Sequence, residues 1–139
     1  MFSWEKAKKP MLLLAPMAGY TDSAFRQVVK QLAPNTICVT ELISADGIKF
    51  KGKRTMEYLD FSESERPLIV QLFGKKPDFF REAAQAVENQ KPDGIDINMG
   101  CPARKVIGSM HGSALLKDPE LAEKIARTTV ESTSLPVSV

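Results

Sequence analysis

Cysteine and histidine are scarce in this chain: its 139 residues hold two cysteines, Cys38 and Cys101, and one histidine, His111. Two thiols cannot build a disulfide framework or a four-ligand metal site, and one imidazole excludes a His-rich metal centre. No metal is expected, and the thiols are expected to stay reduced. Long apolar runs are also missing. None approaches the roughly 20 residues that span a bilayer, and residues 1–10 lack the apolar stretch of a secretion signal. The expectation is a cytoplasmic protein with no membrane contact. An excess of one charge is absent too: 19 Lys and Arg face 17 Asp and Glu, a net +2, so any contact with a polyanion has to be local. Neither G-x-G-x-x-G after the first strand nor G-x-x-x-x-G-K-[ST] occurs, which removes the main support for a dinucleotide-binding or P-loop domain. No repeat or low-complexity linker interrupts the chain, so one domain is expected.

What is present is an alternation of apolar runs and amphipathic stretches. Met11 to Ala15, bounded by Pro10 and Pro16, is too short for a helix and reads as a strand buried on both faces. A turn containing Gly19 leads to Thr21 or Asp22 as a helix N-cap. Phe25, Val28, Val29 and Leu32 then form an apolar stripe, with Arg26, Gln27, Lys30 and Gln31 expected outside. Thr36 to Thr40, ending at Glu41, is the second strand. Leu42 to Glu65 is less regular, with a helical turn over Ser44–Ile48 and a basic cluster of Lys49, Lys51, Lys53 and Arg54, which reads either as a solvated face or as a nucleic-acid contact. Leu68 to Phe73 is the third strand. Pro77 opens a helix whose buried stripe is Phe80, Ala83, Ala84 and Val87. Gly94 to Met99 is the fourth strand, followed by a loop from Ala103 to Lys117. Asp118-Pro119-Glu120 starts a helix with Leu121, Ile125, Ala126 and Val130 on one side, and Val137–Val139 begins a fifth strand. Four β-α units with apolar strands indicate an α/β fold with a parallel sheet and helices outside it.

The polar exceptions fall at the carboxyl ends of these strands, where ligands bind in parallel α/β folds. Pro16, Met17 and Ala18 follow strand one, Glu41 ends strand two, Gln71 lies late in strand three, and Asn98 and Cys101 follow strand four. Ile95 and Ile97 alternate with Asp96 and Asn98, so a carboxylate and an amide share one side of a strand. Burying them without partners would cost roughly 2–7 kcal/mol each, so partners are required. Gln71 and Asn98 suit the edge of a planar heterocycle, which offers donors and acceptors; the alternative for either is a bond to nearby backbone. Cys101 is either a reactive thiol at the strand rim or an inert one. His111 reads as a loop histidine.

Ala15-Pro16-Met17-Ala18-Gly19-Tyr20-Thr21-Asp22 with Phe25-Arg26, Thr40-Glu41 with Ser44, Val70-Gln71-Leu72-Phe73-Gly74, Asp96-Ile97-Asn98-Met99-Gly100-Cys101-Pro102 with Lys105-Val106, and Gly112-Ser113-Ala114-Leu115-Leu116 together resemble the tRNA-dihydrouridine synthases. The resemblance implies an FMN-dependent enzyme on a (β/α)8 TIM barrel that reduces the C5–C6 double bond of uridine in tRNA, with NADPH as reductant. It implies that Pro16, Met17 and Ala18 lie along the flavin, that Gln71 bonds its ring edge, that Asn98 lies between flavin and substrate, and that Cys101 is the general acid. Arg104 and Lys105 would turn toward RNA phosphate. A uridine in folded tRNA would have to be turned out of its stack.

Such a barrel takes about 250 residues and binds phosphate through its last loops. The expectation for this sequence is therefore the N-terminal half of the barrel, about four βα units and the start of strand five, inactive alone and open to self-association along its unpaired sheet edge. Two other readings remain open on the sequence: a flavodoxin-like binding or regulatory module, and an FMN barrel oxidoreductase acting on a small molecule.

Overall fold

A computed structural model describes residues 2–139, apart from the Lys105 side chain. Its strands are β1 (Leu13–Leu14), β2 (Ile37–Val39), β3 (Ile43–Ser44), β4 (Leu68–Phe73), β5 (Gly94–Ile97) and β6 (Val137–Ser138). The helices are α1 (Ser23–Leu32), α2 (Ala45–Lys49), α3 (Lys53–Glu57), α4 (Pro77–Gln90), α5 (Arg104–Ile107) and α6 (Pro119–Glu131). The sheet runs β1-β2-β4-β5-β6 with every pairing parallel, and β3 joins the far end of β4. Neighbours in the sheet thus follow chain order with no reversal. A flavodoxin-like sheet places its first strand inside the second, so that reading is set aside.

Local signals account for the helices. Asp22 caps α1 by accepting from the Phe25 N–H at 2.8 Å, and Asp118 caps α6 by accepting from Leu121 at 3.0 Å. Pro77 and Pro119 occupy first-turn positions, where a missing N–H costs nothing. Phe80, Ala83, Ala84 and Val87 of α4 are fully buried against Val70, Leu72, Ile95 and Ile97. Burying Phe80 alone is worth about 1.5–3 kcal/mol. From α6, Ile125 is buried in the same core, with Leu121 and Ala126 at its edge, whereas Val130 is exposed. Cys38, on the same side of the sheet, lies under Arg26 of α1. The helices therefore cover one face. On the other, Ile37, Val39 and Ile69 are covered by Phe2, Trp4 and Ala7 of the N-terminal segment.

Three expectations change. The first strand has two paired residues and is not buried on both faces: Met11, Leu12 and Leu13 are exposed at the sheet edge, because only one neighbouring strand covers them. The irregular stretch after Glu41 contains β3, which continues the line of β2 along β4 after an interruption at residues 40–42. The stripe on α1 is reversed: Arg26 and Lys30 are buried, while Phe25, Val28 and Leu32, the last 82% exposed, face solvent. The inward side is held by charge and hydrogen bonds. Arg26 Nε meets Glu65 Oε2 at 2.6 Å and its Nη1 donates to the Thr21 carbonyl at 2.7 Å. Lys30 donates to the carbonyls of Thr36, at 2.9 Å, and of Pro34.

Candidate active site

The interruption between β2 and β3 begins the site. With β2 ended, the Gln71 N–H takes the Thr40 side-chain oxygen as acceptor at 3.0 Å. Glu41, in the gap and buried, accepts from the Gly19 N–H at 2.7 Å. That bond ties the β1–α1 turn, which carries Pro16, Met17 and Ala18, to the end of the second strand. Gly19 has φ +81°, a conformation open to glycine and strained for other residues. Within the turn, Thr21 Oγ accepts from Met17 N at 3.0 Å and donates to Met17 O at 3.2 Å.

On the inner face, period-two alternation places Gln71, Asp96, Asn98 and Ser138 together, and their side chains bond in series. Gln71 Nε2 donates to Asp96 Oδ2 at 2.6 Å, Asn98 Nδ2 donates to Gln71 Oε1 at 3.0 Å, and the Cys101 N–H donates to Asn98 Oδ1 at 3.0 Å. Ser138 Oγ donates to Asp96 Oδ1 at 2.7 Å. The buried polar groups flagged in the sequence are thereby partnered with one another. Ser113 holds the other side of the Cys101 turn, its N–H and Oγ each donating to the Cys101 carbonyl at 3.1 Å. Gly112 lies beneath, with φ +59°; a Cβ there would stand 2.7 Å from the Cys101 carbonyl and 3.2 Å from Asn98 Oδ1.

An open cavity of about 460 Å³ lies on this inner face, within the range of small-molecule sites. Its walls include Trp4, Leu13, Pro16, Ile69, Gln71 and Asp96. Pro16 and Gln71 thus come together as expected. Met17 and Ala18 stay exposed on the adjoining turn, and Asn98 and Cys101 connect to the cavity through the side-chain series rather than by lining it. Cys101 is half-buried, whereas Cys38 is fully buried under α1, where burial pushes its thiol pKa up despite Lys30 and Arg26. Arg104 is exposed at the start of α5, and the Lys105 side chain lies outside the described residues. Lys49 of the basic cluster pairs with Glu82, while Lys51, Lys53 and Arg54 are exposed. His111 packs edge-on against Phe73, ring centres 5.6 Å apart. Burial holds its pKa below the usual imidazole value, with Lys75 adding to the shift and Asp46 opposing it. Asp96 was visible in the sequence only as a carboxylate in need of a partner. Ser138 carried no signal there, and Thr40 only its place in the family resemblance, since their partners lie tens of residues away.

The family model for dihydrouridine synthase matches residues 13–139, which takes in every strand and all the residues of the series. The chain belongs to the dihydrouridine synthase family. It is 40% identical over 129 residues to the probable tRNA-dihydrouridine synthase 1 of Synechocystis, covering 92% of this chain and 36% of that one. With tRNA-dihydrouridine synthase B of Xanthomonas axonopodis it shares 36% identity over 130 residues, covering 94% and 39%. The probable tRNA-dihydrouridine synthase of Aquifex aeolicus is 39% identical over 135 residues, covering 94% and 42%. The chain thus spans about two-fifths of the length of these curated relatives.

The chemistry of the inner face suits the flat, amphipathic ring of a flavin. One part of the wall is apolar, from Leu13, Pro16 and Ile69, and another carries the Gln71 amide and the Asp96 carboxylate. Trp4 adds a buried indole N–H that has no acceptor among the described residues.

Proposed function

We propose that residues 1–139 form the N-terminal part of the FMN-binding barrel of a cytoplasmic tRNA-dihydrouridine synthase. The observation that carries this reading is the continuous hydrogen-bonded series from the cavity wall at Gln71 through Asn98 to Cys101. It joins a ring-binding surface to a half-buried thiol. In this reading Pro16, Met17 and Ala18 lie along the flavin, Gln71 bonds its ring edge, and Asn98 lies between flavin and substrate. FMN held there would provide the hydride for C6 of the uracil, with NADPH as its reductant.

The chain's own part is the proton. Cys101 gives its thiol hydrogen to C5 from the opposite face, and the sulfur is left as thiolate until water returns a proton. The bonds on both sides of the Cys101 peptide limit the thiol to rotation about its own side chain, which keeps the donor near one position. Arg104 and Lys105, beside the thiol in sequence, would engage RNA phosphate, which draws their charge away from a sulfur that must remain neutral. Sequential parallel strands with helices on one face support a half barrel of about four βα units. The remaining strands would pair with the open β1 edge, and the helices that follow them would cover the apolar side of α1.

The test compares residues 1–139 as they stand with the same residues continued by the C-terminal portion of the Synechocystis relative. Each is given FMN, NADPH and tRNA lacking dihydrouridine. The continued protein should reduce the tRNA, while residues 1–139 alone should bind FMN weakly and leave tRNA unchanged. C101A in the continued protein should slow reduction by about 10²–10⁴-fold, the usual contribution of a positioned general acid. Full activity in C101A, or turnover by residues 1–139 alone, would overturn the reading.

A further inference from the structure

The hydrogen bonds between Cys101 and Asp96 have a direction imposed from both ends. A backbone N–H can only donate, so the Cys101 amide meets Asn98 at its carbonyl oxygen, Oδ1, 3.0 Å away. That sends Asn98 Nδ2 toward Gln71 and makes the facing atom of Gln71 its oxygen, Oε1, at 3.0 Å. An ionised carboxylate can only accept, so Asp96, 2.6 Å from the other end of Gln71, requires the amino nitrogen Nε2 there. Each end of the series independently dictates the same orientation for the two amides between them. Ser138 donates to the second Asp96 oxygen at 2.7 Å and holds the carboxylate in place.

Two consequences follow for a ligand on the inner face. Each amide oxygen already accepts one bond and is turned toward its neighbour in the series, while each amino group keeps one hydrogen that no acceptor among the described residues takes. The pair therefore offers donors. An amide turned over about its last torsion would offer acceptors at the same points, and for a free side chain that torsion is broad and roughly two-fold. The carboxylate also makes charge-assisted bonds, about twice as strong as neutral ones, so the stiffest link of the series lies at the Asp96 end.

We propose that Asp96 is a positioning residue that locks Gln71, and through it Asn98, as hydrogen-bond donors, so that the site selects the acceptor-bearing edge of a flat heteroaromatic ring. The inference rests on the flavin-binding reading above and adds to it Asp96, a residue of the cavity wall that acts through Gln71. Ser138 supports the same function from the beginning of the fifth strand.

The experiment has two arms, the first on residues 1–139 and the second on the same residues continued by the C-terminal portion of the Synechocystis relative, with wild type, D96N and S138A checked for fold by circular dichroism in each. In the first, ¹⁵N NMR follows the side-chain NH₂ signals of Gln71 and Asn98 without ligand. Wild type should show one set for each. D96N, which removes the charge from one end and leaves the Cys101 amide alone to hold the series, should show shifted or exchange-broadened signals. In the second, FMN is titrated and followed by its fluorescence and visible absorption band. D96N should weaken binding at least tenfold and shift the band, with S138A showing a smaller loss of the same kind. A folded D96N with single, unshifted NH₂ signals overturns the proposal, as does one with wild-type flavin affinity and spectrum. Should D96N fail to fold, S138A decides in its place: wild-type signals and spectrum overturn the proposal. Should wild type bind no FMN, the flavin reading fails by itself, and the NMR arm still decides the orientation.

Discussion

At the scale of single residues, the site is held by atoms that leave no room for substitution. Gly112 is the tightest case: any Cβ would overlap the Cys101 carbonyl and press on Asn98 Oδ1 while its backbone stays at positive φ. G112A should therefore disorder the Cys101 turn, seen as a loss of FMN affinity and a melting temperature several degrees lower. His111 acts through charge. Because burial lowers its folded pKa, the unfolded chain binds the proton more readily, so the stabilisation from neutral His111 is complete above the ordinary imidazole value and is lost as pH falls through the folded one. Asp46 and Lys75 act on it in opposite senses. Denaturation midpoints measured from pH 7.5 down to 5 should decline, and H111Q should flatten that slope.

At the scale of elements, α1 separates apolar pattern from burial. Its Arg26–Glu65 pair lies in the interior, with Ser23 Oγ and the Ser62 N–H also donating to Glu65 at 2.5 and 2.7 Å. Removing one member strands a buried charge, a loss of about 3–5 kcal/mol. R26M should destabilise the chain by that order in urea, whereas L32S, at an exposed position of the apolar stripe, should stay within about 0.5 kcal/mol. The reverse ranking would mean that the stripe is buried in solution. The pair also fixes the β1–α1 turn, since Arg26 bonds the Thr21 carbonyl and Thr21 bonds Met17.

At the scale of the whole molecule, the sheet ends in β1 on one side and β6 on the other, each with a single neighbour. Beside β1 lie the exposed Met11, Leu12 and Leu13, and α1 presents Phe25, Val28 and Leu32. An uncovered strand with apolar side chains is a template for pairing with a second copy. Sedimentation of the isolated chain should show concentration-dependent association that L12K weakens; a strict monomer at all concentrations would mean that the edge is protected in solution.

The sequence alone was enough for whatever depends on a few neighbouring residues. The cap of α1 narrowed to Thr21 or Asp22, of which Asp22 serves, Asp118 caps α6, Pro77 and Pro119 open their helices, α4 buries the expected stripe, and alternation in β5 puts Asp96 and Asn98 on one side. Each of these rests on periodicity or a hydrogen bond within one turn. Tertiary structure alone decided the side on which α1 is buried, the continuation of β2 as β3, and the partners of the polar inner face. Gln71 meets Asp96 across 25 residues and Ser138 meets it across 42. Polarity says that such groups need partners, but only the stacking of parallel strands brings donor and acceptor within 3 Å. For α1 the reason is the same: an apolar stripe seeks cover, and which side is covered depends on the neighbours that the fold supplies.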